Sequence, residues 1–144
     1  MQKRYSLFVL LFIALASFAK AQSANSVLGT WLNQEKDGKI EIYQVGNKYF
    51  GKLVWGKTIL DANGNSKKDT KNPDDQLKTR NLLNLLILTD FVYNGGQWED
   101  GKIYDPKSGK TYSSVMKLDG DNLDIRGYVG ISLFGRTTVW TRVR

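Results

Sequence analysis

The sequence predicts an all-β protein: a single antiparallel, roughly eight-stranded β-barrel with one short helix. Short apolar stretches alternate with polar residues at a period of two, and turn signals rich in Gly, Asn and Asp separate them. The composition agrees, with 14 glycines and only two prolines in 144 residues. Because the chain has no cysteine, no disulfide can stabilise the sheet, and a closed barrel without free edges is the simplest stable arrangement.

Residues 1–21 have the pattern of a signal peptide. Lys3 and Arg4 give a basic start, residues 7–18 are an almost unbroken apolar run, and small residues favour cleavage after Ala21. The apolar run has 12 residues, fewer than the roughly 20 that a membrane-spanning helix needs. We therefore expect export to the periplasm or the medium as a soluble domain, with a retained membrane anchor as the alternative.

The remaining residues, 22–144, form one domain with a modest core. The predicted leader takes three basic residues and no acidic one, so the net charge falls from +7 to +4. The basic residues between 48 and 80 are then an ordinary solvated face, although an anionic lipid, a sugar polymer or a membrane surface is the alternative partner. We expect no nucleic acid partner, and the sequence leaves the oligomeric state open.

The residue types also limit the chemistry. The chain has no histidine and no cysteine, which excludes His- or Cys-based catalysis and the usual zinc and iron–sulfur sites. Glu99, Asp100 and Asp105 are close in sequence, and a pair of carboxylates can hydrolyse glycosides. Asp105 opens a turn, however, and Glu99 and Asp100 point to opposite faces of one strand. We expect no enzyme activity, no catalytic residue, no metal and no cofactor.

The predicted strands follow one another as a meander. We place them at residues 28–35, 39–45, 48–55, 85–93, 97–104, 110–118, 123–129 and 135–143. Asp37-Gly38 has the residue types of a type I′ turn, and Gly46-Asn47 those of a type II′ turn.

The segment between the third and fourth strands is predicted to contain the helix. Asn72 can cap free backbone amides, Pro73 suits the first helical position, and Asp74 and Asp75 complement the positive end of the helix dipole. The helix is expected over about residues 73–80.

The same segment contains a partial calcium-binding pattern, in which Asp61, Asn63, Asn65 and Asp69 supply the oxygen atoms. An EF-hand loop that began at Asp61 would need Gly and Glu where Ser66 and Asn72 stand. An ordinary solvated loop is therefore the better interpretation.

The first predicted strand contains Gly29-Thr30-Trp31, and the last contains Trp140-Thr141-Arg142. The pair resembles the calycin superfamily of lipocalins and fatty-acid-binding proteins. The resemblance implies a lipocalin-like barrel in which Arg142 packs on Trp31 across the closed end, beside Gly29. Stacking and cation–π attraction favour that contact. Its expected role is structural.

Five longer blocks are spread along nearly the whole mature chain, at residues 40–43, 51–55, 69–74, 101–112 and 126–136. They resemble the bacterial domain of unknown function 2147 family. The resemblance implies an exported bacterial protein with no established activity.

Fold-level analogy predicts a cell-envelope protein that binds a small apolar or amphiphilic ligand inside the barrel. Alternation places the candidate ligand-binding residues on the inner face: Tyr49, Leu53, Trp55, Tyr112 and Met116. Arg136 is the candidate for an anionic head group, whereas alternation puts Arg126 outside. The alternative is an envelope interaction module with a filled barrel, which uses residues 130–135 or Asn72-Pro73 as its contact surface.

In the last loop, residues 129–135, the apolar residues Ile131, Leu133 and Phe134 lie between glycines. We expect it to plug one end of the barrel. A ligand lid, or a contact with a membrane or a partner, is the alternative.

Overall fold

The computed structural model describes residues 23–144 and shows a closed barrel of eight antiparallel strands. The strands are β1 Gly29–Leu32, β2 Gly38–Val45, β3 Lys48–Gly56, β4 Leu86–Asn94, β5 Gln97–Asp105, β6 Lys110–Asp119, β7 Asn122–Tyr128 and β8 Arg136–Arg142. Each strand pairs with its neighbours in sequence, and β8 closes the barrel on β1 through Trp31 opposite Arg142. The predicted fold class is confirmed, whereas the predicted signal peptide lies outside the described residues.

This strand order divides the connections between two ends. The loops after β1, β3, β5 and β7 meet at one end, which we call the mouth. The turns after β2, β4 and β6 lie at the other, closed end. Gly46 takes a φ of +61° in the two-residue turn after β2, as the first position of a type II′ turn requires.

The predicted type I′ turn at Asp37-Gly38 is wrong. Gly38 is already the first residue of β2, and Lys36 has the left-handed φ of +59°. The cause is Asn33, whose side-chain oxygen accepts hydrogen bonds from the amides of both Asp37 and Gly38 at 3.0 Å. This side chain organises a wider loop than a two-residue turn.

The helix predicted over residues 73–80 is also wrong. Among residues 23–144 the only helical elements are short 3-10 turns at Ala24–Val27 and Ser132–Phe134. The Asn72 side chain accepts the amide of Asp74 at 2.9 Å, as a cap would, but isolated turns follow. A segment this short, with few apolar residues to pack, does not offset the cost of helix nucleation. No helix within the described part of the chain is long and apolar enough to cross a membrane.

A register shift between Lys39 and Ile40 overturns one inner-face prediction. Ile40 pairs with Leu53, but Lys39 pairs with Trp55, so β3 has one extra residue at this point. Alternation is interrupted, and Trp55 is 42% exposed beneath the ammonium group of Lys39. Trp55 therefore lies on the outer wall and not inside the barrel.

The core fills the closed end, and the N-terminal turn Ala24–Val27 covers it. The indole nitrogen of Trp31 donates to the carbonyl of Val27 at 2.9 Å, and that of Trp98 donates to the carbonyl of Ala24 at 3.1 Å. Val27, Trp31 and Trp98 are fully buried. The predicted plug at residues 129–135 is wrong, because the apolar side chains of that loop are exposed. The N-terminal turn closes the barrel instead.

Candidate ligand-binding cavity

The mouth opens into a cavity of about 990 Å³. Its inner wall is mainly apolar and contains Ile40, Leu53, Ile59, Leu82, Ile87, Ile103, Ile125 and Trp140. Its rim is charged and contains Glu35, Asp37, Lys67, Lys68, Lys71, Asp105, Lys107 and Arg136. An apolar pocket of this size with polar groups at one end is a typical small-molecule site.

The structure brings half of the predicted binding residues together. Leu53, Tyr112 and Arg136 line the cavity. Tyr49 and Met116 do face inward, but they belong to the buried core of the closed end. The Tyr49 hydroxyl lies 3.0 Å from the side-chain oxygen of Asn25, beneath the N-terminal turn, and burial raises the pKa of its phenol. Alternation identifies which side chains face the inside of the barrel. It does not show which of them belong to the packed core and which line the cavity.

Strand β8 spans that depth. Its inward positions are Arg136 at the mouth, Thr138 and Trp140 along the wall, and Arg142 at the closed end. Arg126 is outside the cavity, where its guanidinium binds the β7–β8 loop. Of the two arginines considered for an anionic head group, only Arg136 lines the cavity.

The rim has an excess of free positive charge. Lys107 donates to the carboxylate of Asp37 at 2.6 Å, and this bond, with a second from Asn33, lowers the pKa of Asp37. Lys68 donates to the side-chain oxygen of Asn81. Lys67, Lys71 and Arg136 form no salt bridge within residues 23–144, and neither do the two rim acids Glu35 and Asp105. Three cations are thus available to an anionic group at the mouth.

A buried polar cluster ties the long β3–β4 loop to the barrel. Asp69 is only 1% exposed, and its carboxylate accepts hydrogen bonds from the Tyr104 hydroxyl at 2.6 Å and from Asn72 and Arg80 at 2.9 Å. Tyr104 belongs to β5 and lines the cavity, so the cluster fixes one side of the mouth. Sequence reasoning missed this cluster, because the nearest signal, Asn72 three residues after Asp69, was assigned to a helix cap.

The β5–β6 loop packs on the same segment. A Cβ at Gly109 would lie 1.9 Å from the carbonyl oxygen of Lys71, and Gly109 has a φ of +75°. Only glycine fits this close approach. Two of the blocks noted in the sequence, residues 69–74 and 101–112, therefore contact each other at the rim.

Stability at high pH should depend on Tyr104. Burial, reinforced by the hydrogen bond to Asp69, raises the pKa of Tyr104 from 10.0 to about 12. Because the folded protein favours the neutral phenol, this stabilisation is complete below about pH 10 and is lost as the pH rises towards 12. The free energy of unfolding, measured with urea across this range, should fall less steeply in Tyr104→Phe. An unchanged slope would contradict the assignment.

The residues of the calycin-like pattern meet at the closed end. The guanidinium carbon of Arg142 lies 4.3 Å from the ring centroid of Trp31. Arg142 also donates to the carbonyls of Leu28 at 3.0 Å and Ser26 at 2.6 Å. Gly29 has a φ of +126°, and a Cβ there would lie 3.2 Å from the guanidinium. Arg142 of β8 thus contacts both β1 and the N-terminal turn at the closed end.

The alternative sites do not assemble. The carboxylate of Asp61 accepts the amides of Asn63 and Asn65 at 2.9 Å, which is a loop-forming contact. In the described part of the chain, no group of three or more acidic side chains is placed to hold a metal ion. Hydrogen bonds from the side chains of Asn94 and Gln97 lower the pKa of Glu99, which is the opposite of what a general acid requires.

The comparisons with known proteins agree with this architecture. The family profile described as "Uncharacterized protein conserved in bacteria (DUF2147)" matches residues 29–142. The chain belongs to the DUF2147 family. The DUF2147 match therefore runs from the first strand of the barrel to the last, and it confirms the family predicted from the sequence blocks.

The barrel of this DUF2147 protein is similar to that of a solved structure. The solved structure is that of protein HP1028 from the human pathogen Helicobacter pylori, described as belonging to the lipocalin family. The two share 25% sequence identity with a TM-score of 0.70, over 81% of this chain and 82% of that chain. The barrel is thus lipocalin-like, a fold that points to binding rather than catalysis. A search of curated proteins gives no match.

Proposed function

We propose that the protein is an exported, non-enzymatic binding protein that holds one small apolar or amphiphilic molecule in its barrel. The observation that carries the proposal is the open apolar cavity of about 990 Å³ beneath a cationic rim. Partly exposed side chains such as Leu82 and Ile103 offer a wall against which an apolar tail is stabilised by leaving water. Export is supported by the signal-peptide pattern of the sequence.

The orientation of the ligand follows from the two ends of the cavity. The wall is apolar towards the closed end, and Arg136, Lys67 and Lys71 stand without salt bridges to residues 23–144 at the mouth. An amphiphile therefore enters with its apolar part first and keeps a polar, preferably anionic, head at the rim.

The alternative, an interaction module with a filled barrel, has less support. Packing fills only the closed half of the interior, where Trp98, Phe91 and Met116 are fully buried. A barrel that served only as a scaffold would have no need of the remaining open space, since empty apolar volume destabilises a fold.

The direct test is a titration of residues 22–144 with anilinonaphthalene sulfonate, an amphiphilic probe that becomes fluorescent in apolar surroundings. We expect saturable binding of one probe per chain and its displacement by a long-chain fatty acid. Non-saturable binding, or probe that a fatty acid does not displace, would contradict the proposal.

The head-group position should be visible in one variant. Arg136→Gln is expected to weaken binding of a fatty acid by roughly fivefold, since a partly exposed ion pair contributes about 1 kcal/mol. Binding of the corresponding uncharged alcohol should not change. Equal losses for the two ligands, measured by probe displacement, would show that Arg136 does not contact the head group.

A further inference from the structure

The β7–β8 loop, residues 129–135, presents a group of exposed apolar side chains at the mouth. Val129 and Ile131 are more than half exposed, and Leu133 and Phe134 are 74% and 78% exposed. The barrel does not use these side chains for its own packing. A group of exposed apolar side chains within one short loop indicates a contact site.

The loop is held in this exposed shape. The guanidinium of Arg126 donates to the carbonyls of Ser132 at 2.6 Å and Leu133 at 3.2 Å, and to the hydroxyl of Thr137 at 2.9 Å. A Cβ at Gly135 would lie 2.6 Å from a carbonyl oxygen of β7, so the chain also packs closely there. These contacts fix the loop against the outer wall and leave the mouth open beside it.

Free positive charges outnumber free negative charges at the same end. Three acidic groups of this end are paired: Asp37 with Lys107, Asp69 with Arg80 and Asp75 with Lys78. The rim acids Glu35 and Asp105 form no salt bridge among residues 23–144. The three rim cations, Lys67, Lys71 and Arg136, have no such partner among residues 23–144. An anionic surface would satisfy them.

We propose that the mouth end docks on an anionic lipid surface. The side chains of Leu133 and Phe134 enter the head-group region, and the three rim cations face the lipid phosphates. An apolar tip beside free cations is the combination that binds the membrane interface, because burial and electrostatic attraction add. The docking goes beyond the proposed function and does not require it, although it would turn the cavity opening towards the bilayer.

The first test measures sedimentation with vesicles. Residues 22–144 are used, because they contain every strand and the whole core of the barrel, and because the apolar segment 7–18 would itself enter a bilayer. We expect binding to vesicles of phosphatidylcholine with phosphatidylglycerol, and much weaker binding to phosphatidylcholine alone. The double variant Leu133→Asn/Phe134→Asn should bind at least tenfold more weakly.

The matched control is Val45→Asn. Val45 is 60% exposed at the closed end of the barrel, so its loss removes a similar apolar group from the opposite pole. This control should bind the anionic vesicles as the unmodified chain does. Equal binding by the double variant and the unmodified chain, or binding that does not depend on phosphatidylglycerol, would overturn the proposal.

A second measurement reports the orientation and needs no loss of binding. Because the chain has no cysteine, Phe134→Cys and Val45→Cys each give one labelling site for an environment-sensitive fluorophore. On anionic vesicles, emission from the label at position 134 should shift to shorter wavelength, and emission from the label at position 45 should not. A shift at both positions, or only at position 45, would show that the mouth does not face the lipid.

Discussion

Replacing Gly127 with tryptophan is expected to weaken ligand binding by roughly two-hundredfold while the barrel remains folded. Gly127 lines the cavity, and a Cβ there would make only ordinary contacts of 3.5 Å with Ile103 and Tyr112. The new indole would therefore project into open space and exclude about four ligand methylenes, each of which contributes about 0.8 kcal/mol on burial. The measurement is displacement of anilinonaphthalene sulfonate.

The same substitution should not destabilise the protein. Gly127 is a strand residue without a positive φ, and a side chain that the native backbone accepts reduces the entropy of the unfolded chain. Val139→Trp, on the outer wall, and Trp55→Ala, also outside, are the matched controls and should bind as the unmodified chain does. Unchanged binding in Gly127→Trp would contradict a ligand inside the barrel.

Replacing Arg142 with methionine is expected to lower the free energy of unfolding by about 3 kcal/mol. The variant loses the cation–π contact with Trp31 and two hydrogen bonds that satisfy the carbonyls of Ser26 and Leu28. Methionine keeps most of the apolar stem of arginine, so the decrease in the free energy of unfolding reports the contribution of the guanidinium group. Urea unfolding followed by tryptophan fluorescence gives the value.

Arg144→Met is the control, because Arg144 is exposed and pairs only with Asp121 at the surface. It should change the free energy of unfolding by less than about 0.5 kcal/mol. Arg142→Lys should fall between the two variants, since lysine keeps the charge but lacks the planar fork. Equal stability of the Arg142 and Arg144 variants would show that the contact does not hold the closed end together.

The fold was largely predictable because period-two alternation and turn residues are local signals. All eight strands lie close to the positions predicted from the sequence, since each turn glycine or Asx residue acts on its own neighbours. The failures share another cause. Trp55 faces outward because of a register shift against Lys39, and the 73–80 helix is replaced by turns. Both depend on partners that are distant in sequence or on packing that a local pattern does not contain.

The cavity was predictable in kind but not in its residues. Alternation separates inner from outer positions, yet Leu53 and Tyr49 share one face of β3 and only Leu53 reaches the cavity. Tyr49 lies in the packed core of the closed end, beneath the N-terminal turn, and Leu53 lies nearer the mouth. The cluster around Asp69 was missed because its members are separated by up to 35 residues.

The central claim, that the barrel carries a small amphiphilic molecule, is tested most directly by native mass spectrometry of the protein purified from its own cells without denaturation. We expect a single non-covalent adduct of small-molecule mass on the unmodified chain and on Val139→Trp, and its loss in Gly127→Trp. Bare protein in all three samples, or an adduct that persists in Gly127→Trp, would contradict the account.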